Sequence, residues 1–348
     1  MSARSVGALA LAVLTAFPLG ASAGRAYVSN EGGRTVSVLD TVRGAVIATV
    51  IVGKRPRGLA VSHDGSRLYV AVSGVPRCPS GVARARCARL PRDLAADGVA
   101  VVDTRTLKVL ERLPAGSDPV ELALGHSERQ LFVADEDGGV SVVNLRAGTL
   151  LTHIHVASGP RAVRVSPNGE WVAVASDLGH ALTLIDSHLL ESVRTTALGR
   201  LPVDLTFALD GREAYVADEL DSAVYRIGMP AGLAGEGTPV PAAHGSVLVR
   251  LPFADRPAGI ALDASRGRLY VSTGRSGSVA VIALAGPTLL REVHVGTRPQ
   301  GLALTPNERL LFIADRGSNA VTVLDTATLR VLAQVPVGHS PWAVAMGP

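Results

Sequence analysis

"RPQGLALTPNERLLFIADRGSNAVTVLDTATLRVLAQVPVG" runs from Arg298 to Gly338. After its proline come four short apolar runs, "GLAL", "LFIAD", "VTVLD" and "VLAQVPV". Each is rich in β-branched residues or Leu and is bounded by Gly, Pro, Asn or Asp, which is the signature of a strand between turns. The stretch is therefore read as four strands, and it ends where a new Gly and Pro begin the pattern again.

Seven prolines open such a unit: Pro56, Pro119, Pro160, Pro202, Pro257, Pro299 and Pro341. Gly53, Gly116, Gly199, Gly296 and Gly338 stand three residues before five of them, which suits tight turns between strands. Four strands in about 42 residues is the period of a β-propeller blade. Only one strand follows Pro341, while the start of the chain supplies "AYVSN", "TVSVLD" and "AVIATV". One C-terminal strand plus three N-terminal strands completes a seventh blade and leaves no open sheet edge. The expected fold is all-β: a seven-bladed propeller of four-stranded blades over residues 24–348.

Composition agrees. Of 348 residues 47% are hydrophobic but only 3% aromatic, so the core must come from Val, Leu, Ile and Ala, and 37 Gly with 21 Pro suit many turns. The basic excess is small, 34 Lys and Arg against 30 Asp and Glu, and aromatic platforms are scarce, which argues against nucleic-acid binding. An anionic small molecule or an acidic protein partner is compatible with it.

Residues 1–23 read as a signal peptide: Arg4, the apolar run "VGALALAVLTAFPLG", and "ASA" ending at Ala23 as the cleavage site. The run is too short for a spanning helix and no later one is long enough, so a periplasmic or secreted protein starting at Gly24 is expected, with an uncleaved anchor as the alternative. In an oxidising compartment Cys78 and Cys87 are expected to form a disulfide. Their spacing matches neither c-type haem attachment nor a four-cysteine zinc site.

Connections alternate between the two ends of the ring. One end collects the turns before each proline and the loops after each second strand, including an insertion at 74–96 that carries the two cysteines. A second insertion, 228–245, projects from the opposite end. Position two after each proline is usually Gly or Ala, but Glu121 and Asp204 break this rule and Arg164 breaks a similar one at position four. These are candidates for catalysis or for an inter-blade ion pair. Arg57, Arg161, Gln300 and Trp342 follow their prolines directly and are candidates for ligand binding near the channel mouth. His180 and His339 lie on the loop-rich end as candidate ligands or acid/base groups. His153 and His155 share one side of a strand without a third ligand in reach of the sequence, and no metal site is assigned. No GxSxG, HExxH, phosphate-binding or dinucleotide fingerprint occurs.

The motifs "AYVSN", "LYVAV" and "LFIAD", with "RPxG" and "DTxTLKVL" around them, resemble the YVTN family of β-propeller repeats over Arg25 to Gly347. The chain is similar to the propeller of d-type haem nitrite reductases, to lactonase-type seven-bladed propellers and to periplasmic propellers associated with quinoprotein (PQQ-dependent) alcohol oxidation. The resemblance implies a binding scaffold that is accessory to a quinoprotein or cytochrome system, a lactonase-like hydrolase or isomerase using Glu121 and Arg164, or a haem-handling protein. No cofactor is required by the residues themselves, haem or quinone being implied by resemblance only. The closed ring makes a monomer the default.

Overall fold

The computed structural model describes residues 24–76, 90–230, 247–251 and 255–347. The leader, Cys78 with Cys87, and most of the 228–245 insertion lie outside the described residues. Seven four-stranded antiparallel sheets form seven blades. Blade 1 joins Pro341–Met346 to Arg25–Asn30, Thr35–Asp40 and Ala45–Ile51. Blades 2 to 7 follow in order at 59–113, 119–154, 160–197, 202–251, 257–294 and 299–336. The ring closes as the sequence pattern requires: Ala26 pairs with Met346, Tyr27 with Ala345 and Val28 with Val344.

The middle strands, such as Leu310–Asp315, are buried along their length because both faces meet neighbouring blades. This is why they read as continuous apolar runs rather than alternations. Outer strands such as Ala45–Ile51 alternate between exposed and covered residues. The core is accordingly not one globule. It falls into seven clusters, each drawn from two adjacent blades, and the last joins Leu310 and Phe312 of blade 7 to Ala26 and Val28 of blade 1. Asp40, Asp103, Asp186 and Asp325 end third strands and accept backbone N–H bonds from the turn beyond, for example Val42 and Arg43 to Asp40 at 2.9 and 2.8 Å. Leu107, Leu190 and Leu329 close three of these turns with left-handed φ near 57°, and their side chains pack between blades, which offsets the strain.

The glycines before the prolines have a different role from the one their turn position suggests. Of the five, only Gly53 has a left-handed φ. Gly116 is needed for close approach: a methyl built there would stand 2.5 Å from an Asp135 carboxylate oxygen, and one at Gly338 the same distance from the Asn30 amide. The left-handed turn is made instead by the residue directly before proline, at Arg55, Asp118, Gly159, Arg256, Arg298 and Ser340.

Four of the five glycines, all but Gly53, pack against a buried polar residue at the end of a second strand: Asp135, Asp218, Asp315 or Asn30. Asp135 accepts a 2.6 Å bond from Ser141 Oγ, and in blade 1 the Asn30 amide instead donates to Ser37 Oγ at 2.9 Å. Burial outweighs the Ser141 and Gly116 hydrogen bonds and lifts Asp135 to about 7, while Asp315 reaches about 6 for the same reason. A carboxyl whose pKa is raised by folding stabilises the fold fully below its unfolded value near 4, and that contribution is lost as pH rises through about 7. At about 1.4 kcal/mol per pKa unit the loss amounts to a few kcal/mol. Asp135→Asn, which copies the amide that Asn30 supplies in blade 1, should therefore raise Tm at pH 8 and flatten the fall in Tm between pH 5 and 8. Thermal melts across that range check this, and an unchanged pH profile would contradict it.

Candidate ligand-binding site at the channel mouth

Inner strands of adjacent blades come so close that most can carry only small residues. A methyl at Gly58 would stand 2.6 Å from Glu121 Cα, and one at Gly301 would stand 2.9 Å from Ala343 Cα. Where the rule breaks, the charges meet. Arg164 of blade 4 reaches Asp204 of blade 5 at 3.0 Å and Glu121 of blade 3 at 3.7 Å. Backbone N–H groups complete the cluster: Leu122 donates to Glu121 at 3.1 Å, and Leu205 and Ile260 donate to Asp204 at 2.9 and 3.1 Å. Burial lifts the pKa of both carboxyls above the usual range. Arg164 is held charged against its own desolvation by Asp204 and Glu121. The triad forms the floor of a small recess of about 90 Å3, walled by Arg161, Gln300 and Trp342. Another chamber of about 470 Å3, lined largely by aliphatic residues such as Val61, Leu124, Leu262 and Leu304, also borders Arg164.

On the loop-rich side of the recess, sharing Arg161, Gln300 and Trp342 with it, lies a basin of about 630 Å3. The charges around this mouth divide into two unlike halves. On the side of blades 1 to 4, four carboxylates, Glu31, Asp118, Glu136 and Asp177, meet Arg55, Arg57 and Arg161 of that side and Arg316, which reaches Glu31 from blade 7. Arg57 is wholly buried there, pairing with Asp118 and, at 3.1 Å, with Glu136, and donating to the Pro119 carbonyl at 2.6 Å. Although burial pushes the other way, Arg161 and Arg57 hold Glu136 down at about 2.

The basin itself is walled chiefly by blades 5 to 7. Arg256, Arg275 and Arg298 face one carboxylate, Glu219, which Arg256 reaches at 3.6 Å. Arg275 and Arg298 form no ion pair or side-chain hydrogen bond with any described residue, and both are exposed. Small residues at Ala258 and Gly274 leave the space that these guanidiniums surround. Two positive charges on one wall thus have no counter-charge among the described residues, a surface suited to carboxylate or phosphate oxygens.

The structure brings Arg161, Gln300 and Trp342 to this mouth together, with Glu121, Arg164 and Asp204 beneath them. It does not place Arg57 on the basin wall, because Asp118 and Glu136 of the next blade draw that side chain inward. His180 and His339 are exposed on their loops and line neither the basin nor the recess. His153 instead contacts Ser141 and lies edge-on to His155. Glu219, Arg256, Arg275 and Arg298 do not stand out in the sequence, where the residue after each proline draws the eye. Left-handed residues before Pro257 and Pro299 bring Arg256 and Arg298 to the basin wall, so the Arg of these two "RP" pairs was the usable signal.

The family model described as Lactonase, 7-bladed beta-propeller matches residues 45–344, and the chain belongs to that family. Among curated proteins, Antigen Lp49 of Leptospira interrogans is 23% identical over 210 residues, which cover 56% of this chain and 43% of Lp49. The chain therefore spans less than half of that relative's length. Among solved structures, the periplasmic gluconolactonase PpgL of Pseudomonas aeruginosa is similar at a TM-score of 0.72 and 18% identity, covering 94% of this chain and 99% of its own. A protein from Lactobacillus plantarum aligns at a TM-score of 0.76 and 17% identity, covering 94% of this chain and all of its own. Identities this low carry the fold and leave activity to the site.

The two halves of the mouth should respond differently to substitution. Arg57→Leu removes the nearest guanidinium from the buried Asp118 and the half-buried Glu136, leaving them only the more distant Arg55 and Arg161, and should cost about 3 kcal/mol. Arg298→Gly removes an exposed guanidinium and relieves a left-handed φ of 53°, and should leave stability unchanged or slightly raised. Urea unfolding of both variants checks this contrast, and equal losses would contradict it.

Proposed function

We propose that this chain is an exported propeller that binds a small organic anion in the basin at its loop-rich end. The observation that carries the reading is the pair Arg275 and Arg298, without a counter-charge among the described residues, beside Gln300 and Trp342. A mouth meant only to be stable would neutralise those charges, as the wall formed by Glu31, Asp118, Glu136 and Asp177 does. Export rests on residues 1–23. Association with a quinoprotein or cytochrome system rests on the repeat resemblance alone. The haem-handling reading lacks a histidine on the lining of the basin or the recess among the described residues.

A second reading is favoured by family membership: the bound anion is a hydroxy acid and the chain hydrolyses its lactone. Glu219 is the one carboxylate on the described lining of the basin and would serve as general base. Glu121 is less suited, because burial favours its neutral form and Arg164 with the Leu122 N–H already occupies it.

Calorimetric titration with citrate, gluconate and inorganic phosphate tests the binding reading. At least one should bind, with affinity falling about tenfold or more in Arg275→Gln/Arg298→Gln. Equal affinity in that variant would contradict the placement. On the second reading a panel of lactones should show turnover that Glu219→Gln abolishes, and no turnover by the wild type would remove it. Intact mass of the protein recovered from an exporting host should place the mature N-terminus at Gly24, and a retained Met1 would contradict cleavage and favour the uncleaved anchor.

A further inference from the structure

Trp342 and Arg161 belong to blades that are not neighbours: two blades separate them on one side of the ring and three on the other. Even so, the Arg161 guanidinium lies 5.4 Å from the indole centroid, so the contact spans the channel. Arg316 of the adjacent blade 7 covers the same indole at 4.7 Å. The two arginines are held very differently. Arg316 is anchored by an ion pair with the buried Glu31. Arg161 stands 3.7 Å from Glu136 and 3.9 Å from Asp177, beyond hydrogen-bonding distance, and no side-chain hydrogen bond fixes it to a described residue. Its side chain is nevertheless only 21% exposed.

Arg161 and Trp342 each line both the basin of about 630 Å3 and the recess of about 90 Å3. They therefore stand at the boundary between the two spaces. We propose that the Arg161–Trp342 contact is a crossbar that shuts the recess, and that an anion in the basin draws Arg161 off the indole and opens it. This rests on the anion-binding reading above. A bidentate, charge-assisted hydrogen bond to a carboxylate is stronger than a cation–π contact in a wet mouth, so the exchange is favourable. Arg316 keeps the indole in place while Arg161 moves. The opened recess has room for roughly three waters, so it admits a small polar end of the ligand rather than a ring. There Gln300 and the Glu121–Arg164–Asp204 floor offer it hydrogen bonds.

Tryptophan emission reads this directly, because the second tryptophan, Trp171, is 1% exposed between blades 4 and 5. Whichever of citrate, gluconate and phosphate binds by calorimetry should shift the emission of the wild type. At ligand concentrations that saturate the variant, Trp342→Phe should show no such shift, whatever its affinity. Ligand-free Arg161→Gln should already show the emission of the liganded wild type and bind about tenfold more weakly. Binding without an emission change overturns the crossbar and leaves the anion-binding reading standing. So does a shift that survives in Trp342→Phe, or ligand-free Arg161→Gln emission equal to that of the ligand-free wild type. If Arg161→Gln does not fold, the Trp342→Phe comparison decides alone. Failure of all three anions to bind the wild type overturns both.

Discussion

The antiparallel pairing of Arg25–Asn30 with Pro341–Met346 is the constraint on which the rest of the molecule depends. A single blade is apolar on both faces and cannot cover either one alone, so every blade needs two neighbours and the ring has to close. Closure supplies the seventh inter-blade cluster and completes the seventh four-stranded sheet. It also fixes the site: Trp342 comes from the closing strand, and Glu31, which anchors Arg316, comes from the loop after its partner. The Ala343 N–H to Ser29 Oγ bond at 3.1 Å ties the inner strand beside that indole.

The fold was legible because its determinants are local. A strand of five or six residues, a turn residue and a repeat near 42 can all be counted along the chain, and the closing blade follows from the arithmetic of its ends. The site was only partly legible. Glu121, Arg164 and Asp204 stood out as charges where small residues were the rule, and they do converge. Arg57 looked the same as Arg161 in sequence, yet one is buried by Asp118 and Glu136 of the next blade and the other reaches across the channel. That difference arises from partners far apart in the chain, and no local pattern contains it. The glycines before the prolines were visible, but for Gly116, Gly199, Gly296 and Gly338 their reason was not, since it lies in a carboxylate or amide packed against them.

Buried ion pairs seldom add net stability, because desolvation offsets much of their attraction. The paired wall around Arg57 and Glu136 is better understood as a device for geometry: it fixes three adjacent inner strands and the loops above them. The opposite wall leaves its arginines in solvent, where their charge costs the fold little and remains available to a ligand. Structure and chemistry are thus divided around the circumference of one mouth, with the Arg161–Trp342 contact on the border between them.

The most direct measurement is the structure of the protein with a bound anion, citrate being a convenient probe. Carboxylate oxygens hydrogen-bonded to Arg275 and Arg298, with Gln300 and Trp342 alongside, is the expected result. Citrate ordered only against the paired wall, or only in the chamber lined by Val61, Leu124, Leu262 and Leu304, would contradict it.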